Sequence, residues 1–447
     1  MRMMTSLALA AIASGALPPL TGQAPVTAPD SARRWWLSAQ VNVIHQWHPS
    51  FPAPYTGPNS FHPEDEHATS QVTTIYTGLR VSARTELVLD LESAGGTGLS
   101  QAFGLAGFTN LDVVRNPTLG AAPYLARALV RHTFALSHDS LPATRGPLNL
   151  LSQVPARRLS ITAGKLGMAD VFDLNTAGGD SHWQFLNWTV DNNGAYDYAA
   201  DTRGYTIGAV IEYQDRSWGM RFGEALMPTV ANGIHYDWDL AHARAENLEA
   251  EWRHGGSDGR DGVIRGLLYL NHANMGAYRE AIDAFVASVD SVPDITAHRQ
   301  IGRTKGGAGV NVEQGLGGGL RLFGRAGLND GRIESFAYTE VDQTFQLGLG
   351  WPSPPWRRAD RLGAVFVSNG LASDHREYLA LGGLGFLLGD GALNYGREQI
   401  VETFYTLTPV QWIGLAFDYQ HIVHPGYNQD RGPVNVFSLR AHFEYAP

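Results

Sequence analysis

The sequence predicts an all-β fold: a transmembrane antiparallel β-barrel of about 16 strands, joined by turns and long outer loops. The 447 residues are 44% apolar and only 17% charged, and 51 glycines with 23 prolines suit many strands and turns. Apolar and polar residues alternate along most of the chain, which is the period of a β-strand. After residue 24, no apolar run approaches the ~20 residues that a membrane-spanning helix requires.

Charge and cysteine content exclude several classes of function. The formal net charge is -10, which argues against a nucleic-acid partner, since such binding depends on neutralising phosphates. The chain has no cysteine, so it carries no disulfide and no thiolate metal or redox site. We expect no cofactor and no metal.

The amino terminus has the features of an export signal. Arg2 precedes an apolar stretch from Leu7 to Leu20, and small residues follow around Gly22 and Ala24. We therefore predict a signal peptide over residues 1–24 and a single outer-membrane β-barrel domain over residues 25–447.

The clearest alternation runs from Arg84 to Glu92, where Leu87, Leu89 and Leu91 occupy one face and acidic residues the other. Similar runs occur at Trp35–Val43, Ala126–Phe134, Tyr205–Tyr213, Leu248–Arg253, Leu320–Arg325 and Ile413–Tyr419. Alternation alone does not separate a soluble sandwich from a membrane barrel. Runs long enough for the ~9 to 11 residues of a tilted membrane strand favour the barrel.

The number and spacing of these runs predict how the barrel is connected. We count about 16 segments, and an even number places both chain ends on one side. The longest connections, which we predict to be outer loops, are residues 94–121, 166–202, 275–300 and 370–396. The last run, Phe437–Tyr445, is rich in aromatics and is expected to close the barrel at the membrane interface. The alternative is an edge strand of a soluble sheet, which would be prone to aggregation.

Five segments, taken in order and spacing, carry a family resemblance. They are Gln46–Tyr55 with Gly57–Ser60, Gly107–Asp112, Gly164–Asp173, Asp197–Asp201 and Tyr427–Pro433. Through them the chain resembles the OprB-type carbohydrate-selective porin family over nearly all of the sequence after residue 24. The resemblance implies a 16-stranded barrel in the bacterial outer membrane that passes sugars. It also implies a constriction of charged and aromatic residues, formed by long loops folded into the lumen.

The resemblance also implies the partners of the protein. These are sugar substrates, outer-membrane lipid and, during insertion, the barrel assembly machinery, while the oligomeric state is left open. Ala446 and Pro447 follow the final aromatic residue, whereas such barrels usually end on the aromatic itself. This departure bears on recognition by the assembly machinery and so on the efficiency of insertion.

Charged side chains that face the lumen suit the passage of a neutral sugar. Arg and carboxylate groups exchange hydrogen bonds with hydroxyls, and aromatic faces cover the sugar ring. Alternation places Arg80 and Arg84 on one inward face, Glu86, Asp90 and Glu92 on the next strand, and Arg127 and Arg131 on another. Opposed charges of this kind would set a transverse field across the pore. The alternative is that they are ordinary solvated lumen residues paired for stability.

The loop that follows Lys165 is a candidate constriction. It carries Asp170, Asp173, Trp183 and Trp188, and tryptophans on a loop need a surface on which to pack or stack. We predict that this loop constricts the pore and that the two tryptophans stack on the solute. The alternatives are a solvated outer loop, and tryptophans that pin the loop against the barrel wall.

Other functions have weaker sequence support. Gly179-Asp180-Ser181 resembles the start of a lipase-type serine block but lacks the complete Gly-x-Ser-x-Gly elbow. The acidic stretch from His62 to His67 lacks the helical spacing of a metal site, and Gly315–Gly319 lacks the Lys-Ser/Thr of a phosphate-binding loop. A porin for other small polar or anionic solutes, and a non-conducting surface-binding or adhesive barrel, remain as alternatives to a sugar porin.

Overall fold

A computed structural model describes residues 33–114, 119–255 and 259–446. The predicted signal peptide, residues 1–24, lies outside the described residues. From Arg34 onward, the described residues form one compact unit.

Sixteen antiparallel strands close into a barrel, which confirms the predicted fold class and strand number. The strands of the chain are β1 Trp35–His48, β2 Glu66–Arg80, β3 Thr85–Gly96, β4 Tyr124–Ala135, β5 Ser140–Pro142, β6 Gln153–Pro155, β7 Arg158–Leu166, β8 Thr206–Gln214, β9 Trp218–Leu226, β10 Arg244–His254, β11 Gly262–Met275, β12 Gln300–Gly317, β13 Leu320–Asn329, β14 Gln343–Trp351, β15 Arg361–Gly370, β16 Glu398–Val410, β17 Ile413–Val423 and β18 Val434–Tyr445. Each barrel strand pairs with the next, and β18 closes on β1, with Val43 opposite Ala441. Strands β5 and β6 form a separate hairpin.

The barrel has its apolar side chains outside and its charged side chains inside, the reverse of a soluble protein. On β3, Leu87, Leu89 and Leu91 are each more than 40% exposed, whereas Glu86 and Asp90 are at most 1% exposed. The alternating runs predicted from the sequence therefore are strands whose apolar face is outside and whose charged face is inside. Because exposed leucine rows are favourable only against lipid, this arrangement is that of a membrane barrel.

The two ends of the barrel differ in the length of their connections. Short connections, among them residues 81–84, 215–217, 318–319 and 411–412, lie at one end, which we call the turn end. Long connections lie at the other, the loop end, and include the four predicted long loops, observed as residues 97–123, 167–205, 276–299 and 371–397. Exposed tryptophans such as Trp35, Trp218 and Trp412 lie on the outer surface near the turn end, as an interfacial girdle requires.

One connection at the turn end is long, although no pattern in the sequence predicts it. Residues 136–157, which we call the connector, join β4 to β7 and contain the β5–β6 hairpin. Leu150 is fully buried, and its backbone N–H donates to Oε1 of Glu86 at 2.5 Å. Arg131 Nη1 donates to the carbonyl of Leu148 at 2.6 Å. The connector therefore lies partly within the barrel at the turn end.

In the described residues, three α-helices lie in the loops: α1 Trp188–Asp191, α2 Tyr278–Val286 and α3 Ser373–Ala380. Within the described parts of the chain, none of the helices combines the length and the hydropathy needed to span a bilayer. Helices α2 and α3 pack together at the loop end around His375, which is fully buried. The His375 ring stacks on the Tyr278 ring, with centroids 4.2 Å apart.

His375 lies between two carboxylates. Its Nδ1–H donates to Oδ2 of Asp342 at 3.0 Å, and its Nε2 lies 3.6 Å from Oε1 of Glu340. Burial by itself lowers the pKa of His375, but the charge of Asp342 and the hydrogen bonds to both carboxylates outweigh it and raise the pKa to about 9. At neutral pH, the imidazolium form of His375 therefore holds its own loop, residues 371–397, to the loop that carries Glu340 and Asp342.

Raising the pH should weaken this cluster. A folded-state pKa above the unfolded value of about 6.5 means that the stabilisation is complete below pH 6.5 and is lost as the pH rises through 9. The full shift of the His375 pKa corresponds to a contribution of roughly 3 kcal/mol to the free energy of unfolding. Thermal unfolding in detergent between pH 6 and pH 10 measures the effect. His375→Gln should flatten the pH dependence, whereas His235→Gln, at an exposed loop position, should leave it intact. An equal pH dependence in all three proteins would contradict the assignment.

Candidate functional site

Residues 167–205, which we call the inner loop, lie inside the barrel and are fixed there by wall side chains. Arg325 of β13 is buried, and its Nη1 donates to the carbonyls of Val190 at 2.7 Å and Gly178 at 3.3 Å. Its Nη2 donates to the carbonyls of Asp191 at 3.0 Å and Asp173 at 3.2 Å, and its Nε lies 2.9 Å from Oδ2 of Asp173. One guanidinium therefore joins both halves of the inner loop to the wall.

A second set of wall side chains holds the middle of the inner loop. Arg440 of β18 donates from Nη1 to the carbonyls of Ser181 at 2.6 Å and Gln184 at 2.9 Å. Glu402 of β16 accepts the backbone N–H of Leu186 at 2.5 Å. Charged partners of this kind satisfy backbone groups that would otherwise be buried without hydrogen bonds.

Glycines in the wall make room for the aromatic side chains of the inner loop. A Cβ at Gly414 would lie 2.5 Å from the Trp183 ring, and one at Gly363 would lie 2.6 Å from the Phe185 ring. Trp183 also packs edge-on against His442, with centroids 4.4 Å apart, and is covered by the Arg361 guanidinium at 4.1 Å. Trp183 thus pins the inner loop to the wall, which is the alternative that the sequence left open.

An open cavity of about 630 Å³ remains between the inner loop and the opposite wall, formed by β2, β3 and β4. Its charged lining consists of seven carboxylates and two arginines: Glu92, Asp112, Asp170, Asp173, Asp180, Asp191, Asp201, Arg127 and Arg203. Its aromatic lining consists of Tyr76, Tyr124, Trp188, Tyr198, Tyr205 and Tyr338. This combination of hydrogen-bonding groups and aromatic faces is suited to a polyhydroxylated solute.

Arg127 links the wall to the start of the inner loop. Its Nε and Nη2 each donate to the Asp170 carboxylate at 2.7 Å, and its Nη1 lies 3.4 Å from Oδ2 of Asp90. The guanidinium carbon lies 5.1 Å from the centroid of the Tyr205 ring. Arg127, Asp90 and Asp170 therefore form one network, and two of the three line the cavity.

Glu92 is held by hydroxyl groups. Its carboxylate accepts from Tyr124 at 2.5 Å, from Tyr205 at 3.0 Å and from Thr74 at 3.0 Å. The aromatic rings beside it are thus fixed in position by the same carboxylate that faces the solute space.

Trp188 and Asp191 lie on α1 and face the cavity from the inner loop. Trp188 stacks on Tyr338 with an interplanar angle of 4°, and its Nε1–H donates to the carbonyl of Asn110 at 2.8 Å. Burial raises the pKa of Asp191 to about 7, although the nearby charge of Arg325 acts in the opposite direction. The Asp191 carboxyl therefore titrates near neutral pH.

The remaining predicted residues lie away from the cavity. Arg80 ends β2 and Arg84 lies in the next turn, so both are at the turn end, where Arg84 lines a second cavity of about 430 Å³. Glu86 and Arg131 face inward but hold the connector. Lys165 lies 3.9 Å from Asp201 and is not part of the cavity lining.

The sequence alone did not identify the side chains that anchor the inner loop, above all Arg325, Arg440 and Glu402. The alternation of apolar and polar residues could have indicated them, because each lies at an inward-facing position of its strand. Among the described residues, no group of three or more His, Asp and Glu side chains is placed to hold a metal ion. Glu66, from the acidic stretch considered above, instead accepts from the backbone and hydroxyl of Ser100 at 2.8 and 2.9 Å.

Comparisons with known proteins agree with this architecture. A family model described as carbohydrate-selective porin, OprB family, matches residues 73–445. The fold is similar to a high-pH structure of OprB from Pseudomonas putida, with a TM-score of 0.68, 13% sequence identity, and coverage of 92% of this chain and 94% of that one. It is also similar to the outer-membrane channel DcaP of Acinetobacter baumannii, with a TM-score of 0.49, 10% identity, and coverage of 92% and 97%. No curated protein matches the chain in sequence.

Releasing the inner loop should widen the pore. Arg325→Met removes five contacts to the loop and leaves Asp173 buried without its cation, at a cost of about 3 to 5 kcal/mol. We expect a severalfold rise in single-channel conductance in planar bilayers, together with a lower unfolding temperature. Arg332→Met is the matched control, since the Arg332 side chain is 73% exposed. Wild-type conductance in folded Arg325→Met would show that the loop does not depend on this anchor.

Proposed function

This chain belongs to the OprB family of carbohydrate-selective porins, which are barrels of the bacterial outer membrane, and we propose that it lets mono- and small oligosaccharides diffuse passively through the cavity beside the inner loop. The observation that carries the proposal is the cavity lining. Carboxylates, one arginine network and six aromatic rings surround a volume of about 630 Å³, which is in the range of small-molecule sites.

The lining offers a sugar two kinds of contact. Glu92 and Arg127 present hydrogen-bonding groups from the wall, and Asp191 presents a carboxylate from the inner loop. Tyr205 and Trp188 line the same space with aromatic rings, which offer apolar contact to a pyranose ring. These contacts replace part of the hydration that a sugar loses when it enters a narrow pore.

Passive transport requires that this exchange be nearly balanced. A solute that gains much more from the wall than it loses from water does not leave. The hydrogen bonds of Glu92 are already taken up by three hydroxyls and those of Arg127 by Asp170, so a sugar meets groups that are partly satisfied. Weak, reversible contacts follow from this arrangement.

The alternatives are separated by charge and by conduction. An anionic solute is disfavoured, because seven carboxylates and two arginines line the cavity. A surface-binding or adhesive barrel requires a closed lumen, so it would show no conductance. Insertion by the barrel assembly machinery is part of the proposal, since strand edges stay unpaired until β18 closes on β1.

Liposome swelling tests the proposed function directly. Liposomes that contain the purified protein should swell in pentoses, hexoses and disaccharides, with rates that fall as the sugar becomes larger, and more slowly in amino acids of similar size. Protein-free liposomes are the control. Absence of swelling in every sugar, by protein that is folded in detergent, would rule out a sugar porin.

Two inward arginines on the same strand should differ in their effect on sugar. Arg127→Ala removes the network that faces the cavity, and a hydrogen bond to a charged group contributes about 1.5 kcal/mol or more, so the sugar concentration for half-block of the current should rise roughly tenfold. Arg131→Ala is the matched control, because Arg131 holds the connector. Current block by glucose in planar bilayers measures both. Equal effects of the two substitutions would remove Arg127 from the sugar path.

A further inference from the structure

The charges that line the cavity do not cancel. Both arginines of the lining are already engaged: Arg127 makes a two-fold contact with Asp170, and the Arg203 guanidinium lies 4.0 Å from the centroid of the Tyr124 ring. Two of the seven carboxylates are paired with cations outside the lining, Asp173 with Arg325 and Asp201 with Lys165. The other five carboxylates against two arginines still leave the lining with an excess of negative charge. In a confined space bordered by protein, such an excess attracts cations and repels anions.

Asp191 is an independent indication that the cavity receives a positively charged group. The residue is only 9% exposed, and it belongs to the cavity lining. Arg325 donates to its backbone carbonyl, and no residue of the described chain donates a hydrogen bond to its carboxylate. Buried polar groups are nearly always hydrogen-bonded, so an unpartnered carboxylate at a cavity surface is suited to a donor carried by the solute.

Glu92 offers a second carboxylate in the same cavity. Its hydrogen bonds within the described structure come from the hydroxyls of Thr74, Tyr124 and Tyr205. These donors are neutral, so none of them brings a positive charge to the carboxylate. A protonated amine donates up to three hydrogen bonds and attracts both carboxylates, whereas a sugar acid meets only repulsion.

We propose that the cavity favours positively charged solutes: the pore conducts cations in preference to anions and takes protonated amino sugars more readily than neutral sugars or sugar acids. This inference rests on the proposed function, because it concerns the selectivity of the same pore. It assigns Asp191 and Glu92 as the residues that determine the preference.

The preference should depend on pH. The charge of Asp191 is lost as the pH falls below about 7, because burial raises its pKa to that value. The charged and titratable groups that act on Asp191 are Arg325, Asp180, His182 and Asp173. Cation preference should therefore be stronger at pH 8 than at pH 5.5, and Asp191→Asn should reduce that difference.

Zero-current potentials across planar bilayers in a KCl gradient test the preference of the pore for cations over anions. We expect the permeability ratio of K⁺ to Cl⁻ to exceed 1 by severalfold at pH 8, and to fall at least twofold in Asp191→Asn and in Glu92→Gln. Glu224→Gln is the matched control, since Glu224 lies exposed on β9 and does not line the cavity. A ratio of 1 or less, or a ratio that neither cavity substitution changes, would overturn the inference. Each variant is shown to be folded by gel electrophoresis, in which the unheated barrel migrates differently from the heated, unfolded protein.

Current block by glucosamine and N-acetylglucosamine tests the preference for protonated amino sugars, because the two sugars share a ring and differ in the charge on nitrogen. At pH 7, glucosamine should block at a roughly tenfold lower concentration, and Asp191→Asn should remove most of the difference. Equal block by both sugars would overturn the amino-sugar preference while leaving the sugar porin intact. Absence of conductance and of block by any sugar would instead contradict the proposed function.

Discussion

A loop that folds into a barrel must find hydrogen-bond partners for its backbone, and this constraint determines the interior of the protein. The wall meets it with charged side chains: Arg325 and Arg440 donate to carbonyls of the inner loop, and Glu402 accepts its amides. Charge-assisted bonds are stronger than neutral ones, so a few side chains hold a long segment without regular secondary structure. Many inward-facing charged side chains of this barrel therefore serve to hold the inner loop in place.

The position of these anchors explains where the open space lies. Arg325, Glu402 and Arg440 belong to strands β13, β16 and β18, and glycines on the neighbouring strands β15 and β17 accept the aromatic side chains of the inner loop. The loop is drawn to that side, so the cavity remains against β2, β3 and β4. Its lining therefore combines wall residues such as Glu92 and Arg127 with Asp191 of the loop. The proposed selectivity depends on these residues, which line the cavity.

Local patterns predicted the barrel well, because the strands show a period of two and the four longest connections are visible as gaps between them. The same patterns could not locate the connector within the barrel, since Leu150 is buried by contacts with β2 and β3 rather than by any periodic signal. Trp183 and Trp188 are close in sequence, yet one packs on the wall and the other faces the cavity. Their separation depends on distant residues, Gly414 and Tyr338, which no local pattern connects to them.

The location of Arg440 on the final strand has a consequence for biogenesis. The carbonyls of residues 181 and 184 accept from Arg440, a side chain that takes its place when β18 docks between β17 and β1. A nascent barrel whose last strand has not yet docked holds its internal segment through Arg325 and Glu402 but lacks the Arg440 anchor. We therefore expect the final shape of the aperture to be coupled to completion of the cylinder.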